Sequence, residues 1–157
     1  MAIGRSSGGV LLLAGGFVAA CGVAWAVSPA PEPAVSRTTQ DAELQWGPCP
    51  EFMPKGCEIA VLHGDPAKPN ADVFFRVPGK AVIPSHWHTS AERMVLVAGE
   101  MQVTYAGQKP STLRRGTYAY GPAKAVHNAT CSSPSACVLF IAFEGPVDAH
   151  PAGGGTK

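Results

Sequence analysis

From Glu58 to Phe143 the chain repeats one pattern: a short run rich in β-branched and aromatic residues, then a cluster of turn residues. EIAVL (58–62) stops at His63-Gly64-Asp65-Pro66, and DVFFRV (72–77) stops at Pro78-Gly79. AVIPSHWH (81–88), ERMVLVAG (92–99), MQVTY (101–105), STLRR (111–115), TYAY (117–120), AVHNATC (125–131) and CVLFIAF (137–143) come next. Ala106-Gly107-Gln108 and Arg115-Gly116 read as hairpin turns. Strands at this spacing predict an all-β sandwich or barrel with antiparallel pairing. One stretch competes with that reading. Thr89-Ser90-Ala91-Glu92 matches a helix capping box, and the next breaker is Gly99, so a helix over 90–98 is locally credible. Val95 and Val97 favour a strand instead.

The first residues have a different pattern. Arg5 is the only charge before Glu32, and VLLLAGGFVAA (10–20) is an apolar stretch of signal-peptide length. Three readings stand side by side. Ala24-Trp25-Ala26 offers a cleavage site; Val18-Ala19-Ala20-Cys21 resembles a lipobox that would lipidate Cys21; and residues 6–30 exceed the roughly 20 needed for a membrane anchor. Each places the domain outside the cytoplasm, periplasmic, secreted or as a lipoprotein facing outward. The resulting division is an export segment (1–27), a Pro-rich linker (28–45) opened by SPAPEP, a β-domain (46–148) and a flexible tail (149–157). Residues 37–44 are either extended or one helical turn.

Composition narrows this further. The chain has 157 residues, with 18 Gly, 15 Pro and 46% hydrophobic residues, too apolar for a disordered polar chain and too broken for a coiled coil. Its net charge is +1 with no basic run, which excludes nucleic acid as an electrostatic partner and confines membrane contact to the N-terminal segment. Cys21 apart, the cysteines fall in two close pairs, Cys49 with Cys57 and Cys131 with Cys137. In an exported chain these read as two local disulfides, although four cysteines allow three pairings. The alternative is a four-cysteine zinc site, which the spacings C-x7-C and C-x5-C fit poorly.

Candidate chemistry lies in the histidines. His86-Trp87-His88, Glu92 and, far along the chain, His127 form one constellation. On a strand, residues two apart share a face, so His86 and His88 can reach one point; on a helix they could not. A tight turn over 89–91 would return Glu92 on the neighbouring strand, and a metal needs such convergence with positions left open for chemistry. His63 and His150 sit beside Gly or Pro in turns and have no assigned role.

Gly79-x6-His86-x-His88-x3-Glu92-x6-Gly99 resembles the first cupin motif, and Gly116-x5-Pro122-x4-His127 resembles the second, over about residues 46–143. The resemblance implies a single cupin jelly-roll β-barrel holding one divalent transition metal (Fe, Mn, Ni or Zn) on His86, His88, Glu92 and His127. Three positions depart from the pattern. Six residues rather than five separate Gly79 from His86, implying a bulge or longer turn near Pro84; Lys124 replaces a glycine, implying an altered turn or a left-handed lysine; and Cys131 replaces an asparagine.

Around the metal, alternation turns Trp87 outward, to be covered by another strand or by a second copy in a homodimer. Tyr118 and Tyr120 share one strand face and, if it is the inner one, would donate to a substrate; otherwise they pack the barrel mouth. Arg76 is the one charge within the apolar stretch VFFRV (73–77), and an inward guanidinium would favour a carboxylate substrate. Cys131 shares parity with His127, and a bond to Cys137 would remove it as a ligand. Two functions are consistent with these residues: a small-molecule metalloenzyme, dioxygenase-like with Fe(II) or a lyase or isomerase with Zn, Ni or Mn, and a metal- or ligand-binding sensor without turnover.

Overall fold

The structure, a computed structural model, describes Met1 and residues 31–153. Residues 2–30, which include Cys21 and most of the expected export segment, lie outside the described residues. The chain divides into residues 1–34 and 35–157, and the strands lie in the second unit. Among the described residues no helix is long and apolar enough to cross a membrane.

The unit is all-β. Its strands are β1 (Trp46–Pro48), β2 (Glu58–His63), β3 (Asp72–Val77), β4 (Val82–Trp87), β5 (Glu92–Ala98), β6 (Glu100–Tyr105), β7 (Ser111–Arg114), β8 (Tyr118–Gly121), β9 (His127–Cys131), β10 (Cys137–Phe143) and β11 (His150–Pro151). They form two antiparallel sheets, ordered β1-β2-β3-β10-β5-β8 and β11-β4-β9-β6-β7, the jelly-roll arrangement. The competition over 90–98 resolves as strand. β5 runs between β10 and β8, burying Met94 and Leu96. The Ser90 hydroxyl, instead of capping a helix, accepts the Gly145 N–H at 2.7 Å.

The inner faces of both sheets share one core that includes Val73, Val77, Ile83, Leu96, Met101, Leu113, Leu139 and Ile141. A second cluster covers the outer face of the six-stranded sheet, where Leu44 packs with Ala60, Phe74 and Val138. This explains why CVLFIAF is apolar throughout: β10 is central and covered on both faces. It also corrects the linker boundary, because Leu44 is buried within a stretch expected to be linker. The tail expectation changes too, since His150 and Pro151 pair with Trp87 and His86 as an edge strand.

One irregularity sets the direction of the first histidine. β4 and β9 pair Ile83 with Ala129 and then His86 with His127, so β4 spends three residues where β9 spends two. This is a bulge at Pro84-Ser85, the two exposed residues of the strand between buried Ile83 and His86. Without it, strict alternation would put Ile83 and His86 on opposite faces.

Both disulfides form, Cys49–Cys57 and Cys131–Cys137. The second joins the end of β9 to the start of β10, with both cysteines fully buried in the core. Replacing Cys131 and Cys137 together by alanine should lower the unfolding free energy by about 2 kcal/mol or slightly more, from loop entropy and lost packing. Urea unfolding of the double variant measures this; an unchanged midpoint would contradict it.

A buried three-histidine site and its cavity

The bulge brings His86 inward, and His88 has the same direction two residues on. The turn at 89–91 returns the chain as Glu92 at the start of β5, and β9 delivers His127 directly opposite His86. All four side chains are buried. The ring-nitrogen ligand atoms of His86, His88 and His127 lie within 4.8 Å of one another, so the trio can hold a metal ion. A Glu92 carboxylate oxygen lies 3.4 Å from His88 Nε2 and 4.0 Å from His127 Nε2. Two ligands about 2.1 Å from a common tetrahedral ion stand roughly 3.4 Å apart, so Glu92 is at ligand spacing from His88.

Backbone carbonyls fix the tautomers. His86 Nδ1 lies 2.8 Å from the Pro84 carbonyl oxygen, His127 Nδ1 lies 3.0 Å from that of Ala125, and His88 Nδ1 meets that of Asp148. A carbonyl only accepts, so each Nδ1 carries the proton and each Nε2 keeps a free lone pair, the arrangement of metal-binding imidazoles.

A cavity of about 190 Å³ adjoins this cluster. Its wall is mostly apolar, with Met53, Phe75, Met94, Met101, Leu139 and Ile141 among the lining residues, and its polar groups are few. Two segments contribute to the wall from outside the sheets: the disulfide-closed loop, through Cys49, Pro50 and Met53, and the C-terminal segment, through Val147, Asp148 and Ala149.

The model of the ChrR cupin-like domain matches residues 35–148. The chain belongs to this cupin family. No curated protein matches it. In fold the cupin is similar to the DMSP lyase DddQ from Ruegeria pomeroyi (18% identity, 73% of this chain and 64% of that one, TM-score 0.61). It is also similar to the polyketide cyclase RemF from Streptomyces resistomycificus (17% identity, 76% and 87%, TM-score 0.60). A third likeness is to an RmlC-like cupin from Shewanella frigidimarina (20% identity, 67% and 86%, TM-score 0.55). The cupin thus spans just under two thirds of the lyase's length. At these identities the likeness is one of fold.

Three residues expected near the substrate lie elsewhere. Arg76 is on the outer face of β3, where it binds the Glu58 carboxylate at 2.6 and 3.0 Å and sits 3.8 Å from the Trp46 ring. Its neighbour Phe75 faces the cavity instead. Tyr118 and Tyr120 are 60% and 50% exposed, because β8 pairs Ala119 with Met94 and Gly121 with Glu92, and directly paired residues share a face. The inner face of β8 is therefore Ala119 and Gly121. Cys131 points inward but is bonded to Cys137. Trp87 faces outward and stacks on His150 at 4.3 Å, so β11 covers it. Two departures from the family pattern are also explained. The extra residue before His86 is the bulge, and Lys124 is left-handed (φ 63°), its N–H donating to the His88 carbonyl at 2.8 Å.

Other residues of the site carried no sequence signal. Tyr105 pairs with His127 across β6 and β9, its ring 4.8 Å from the imidazole, and its buried hydroxyl has no protein partner. Gly121 leaves room for it. A Cβ there would lie 2.5 Å from the Tyr105 hydroxyl and 3.1 Å from the Glu92 carboxylate. The Asp148 main-chain carbonyl accepts from His88 Nδ1, while its side chain accepts the Thr89 N–H at 2.8 Å and faces His150 Nε2 at 3.1 Å.

Burial dominates the electrostatics. It lowers the His86 pKa to about 3, helped by His127, and the His88 pKa to about 4; His127 is lowered too. Burial, with the nearby Asp148 charge, raises Glu92 to about 8. Tyr105 is pushed upward by burial and by Glu92. Without a cation the cluster is therefore neutral: three imidazoles and a carboxylic acid.

The packing and the charges can each be tested. Gly121→Ala should cost about 1–3 kcal/mol by overpacking, and Tyr105→Phe in that background should recover part of it, read as a coupling energy in a double-mutant cycle. Strict additivity would refute the contact. The charge prediction concerns metal-free protein. Its histidines bind protons unfolded but not folded below pH 6.5, so they remove stability as pH falls from 6.5 towards 3–4. Glu92 binds its proton more tightly when folded, so it removes stability as pH rises from 4.5 to about 8. Three histidines outweigh one glutamate between 4.5 and 6.5, and Glu92 acts alone above. The site's contribution should peak near pH 6.5, and thermal melts in chelator across pH 4.5–8 test for that maximum.

Proposed function

We propose that this cupin holds one divalent transition metal on His86, His88, His127 and Glu92 and acts, outside the cytoplasm, as a dioxygenase-like enzyme on a small molecule in the adjoining cavity. The observation that carries this reading is the convergence of three unprotonated Nε2 atoms beside an apolar cavity. The donor set suits the group: neutral imidazoles and a carboxyl too buried to ionise unaided both gain from a cation. When bound, such a metal supplies Lewis acidity and, as Fe(II), oxygen chemistry. Glu92 offsets part of the cation's charge and loses its proton to solvent on loading. The cavity wall excludes water from the reacting molecule, which strengthens every polar contact inside. The two disulfides support an oxidising compartment.

Purified protein should contain about one divalent metal per chain, and His127→Ala and Glu92→Ala should each lose it at least tenfold by elemental analysis. Unchanged content in both variants would sink the site. Oxygen uptake by the iron-loaded protein with phenols and small carboxylic acids then tests turnover. Silence with every metal would favour a ligand-binding sensor.

A further inference from the structure

The cavity's size, wall and single unsatisfied donor together describe its ligand. A cavity of about 150 Å³ lined by apolar side chains accommodates benzene, so 190 Å³ admits one ring with one or two small substituents. Among the described residues the lining includes no lysine or arginine. Arg76 and Arg93, the cations adjacent in sequence to wall residues, are instead paired with Glu58 and Glu144 outside the cavity. In the metal-free cavity a carboxylate or phosphate would lose its hydration with no lysine or arginine of the described wall to offset the loss. The polar end is compact. The Tyr105 hydroxyl and a Glu92 oxygen lie 2.5 and 3.1 Å from one point, the position a Cβ on Gly121 would occupy. The three histidines and Glu92 have their roles in the cluster, whereas the buried Tyr105 hydroxyl is bonded to no protein atom. An unmade hydrogen bond of this kind is costly to a fold, and it is satisfied when a ligand brings the acceptor.

We propose that the cavity takes an uncharged, single-ring molecule bearing one hydroxyl or carbonyl oxygen, and that the Tyr105 hydroxyl donates a hydrogen bond to that oxygen. The proposal rests on the reading of the cavity as the substrate site. It does not depend on which metal is held, because wall and donor belong to the chain.

The test is calorimetric titration of full-length, zinc-loaded protein, and of chelator-treated protein, with phenol, benzoate and 2-naphthol. Metal content is measured on each sample. Phenol should bind both samples, with 2-naphthol at least tenfold weaker in each and benzoate at least tenfold weaker in the chelator-treated one. Tyr105→Phe should weaken phenol binding about fivefold, the worth of one neutral hydrogen bond, with metal content unchanged and the melting temperature equal or higher. Benzoate matching phenol in the chelator-treated protein would overturn the uncharged class, and equal binding of 2-naphthol would overturn the single ring. Undiminished phenol binding by Tyr105→Phe, or a lower melting temperature, would overturn the role of the hydroxyl. Protein that binds phenol but holds no metal refutes the metal reading and leaves this one standing; protein that holds metal but binds no phenol does the reverse.

Discussion

Three buried imidazoles can aim lone pairs at one point only if each proton is held elsewhere. In this cupin the main-chain carbonyls of Pro84, Ala125 and Asp148 hold them. Two of these lie two residues before the histidine they orient, so strand geometry sets the tautomer locally. The third comes from the C-terminal segment, placed beside His88 because Asp148 also accepts the Thr89 N–H and β11 pairs with β4. The same packing that orients the rings removes their water, and burial then lowers their pKa values and favours the neutral rings.

The cavity depends on that arrangement and on a second constraint, the room left by Gly121. A side chain there would meet Tyr105 and Glu92 together. Glu92, Tyr105, Gly121 and His127 thus meet where β5, β6, β8 and β9 approach, while most of the remaining wall is aliphatic, aromatic and thioether. The Cys49–Cys57 loop supplies part of that wall, with Phe52 6.2 Å from the His86 ring. The disulfide therefore serves the site as well as the fold, by limiting the loop's freedom in the unfolded chain.

Much of this was legible in the chain. Strand positions came from alternation and turn residues, and the histidine spacing, with Glu92 and His127, marked the cluster before any contact was known. Even the bulge was foreshadowed by the sixth residue between Gly79 and His86. The cavity-facing residues were not legible. Alternation says that Tyr118 and Tyr120 share a face, but only the pairing of β8 with β5 says which face it is. Arg76 has the same ambiguity, settled outward by Glu58 and Trp46.

By itself the sequence determined a turn-rich, all-β, neutral domain with paired cysteines and a constellation of metal-ligating residue types, because period-two patterning and short spacings are local properties. Tertiary structure alone decided which tyrosine reaches the cavity, that Gly121 makes room for it, that Asp148 orients His88 and that His150 and Pro151 finish the sheet. Those outcomes turn on register and on contacts between segments distant along the chain. A shift of one residue in register exchanges the two faces of a strand without changing the local pattern.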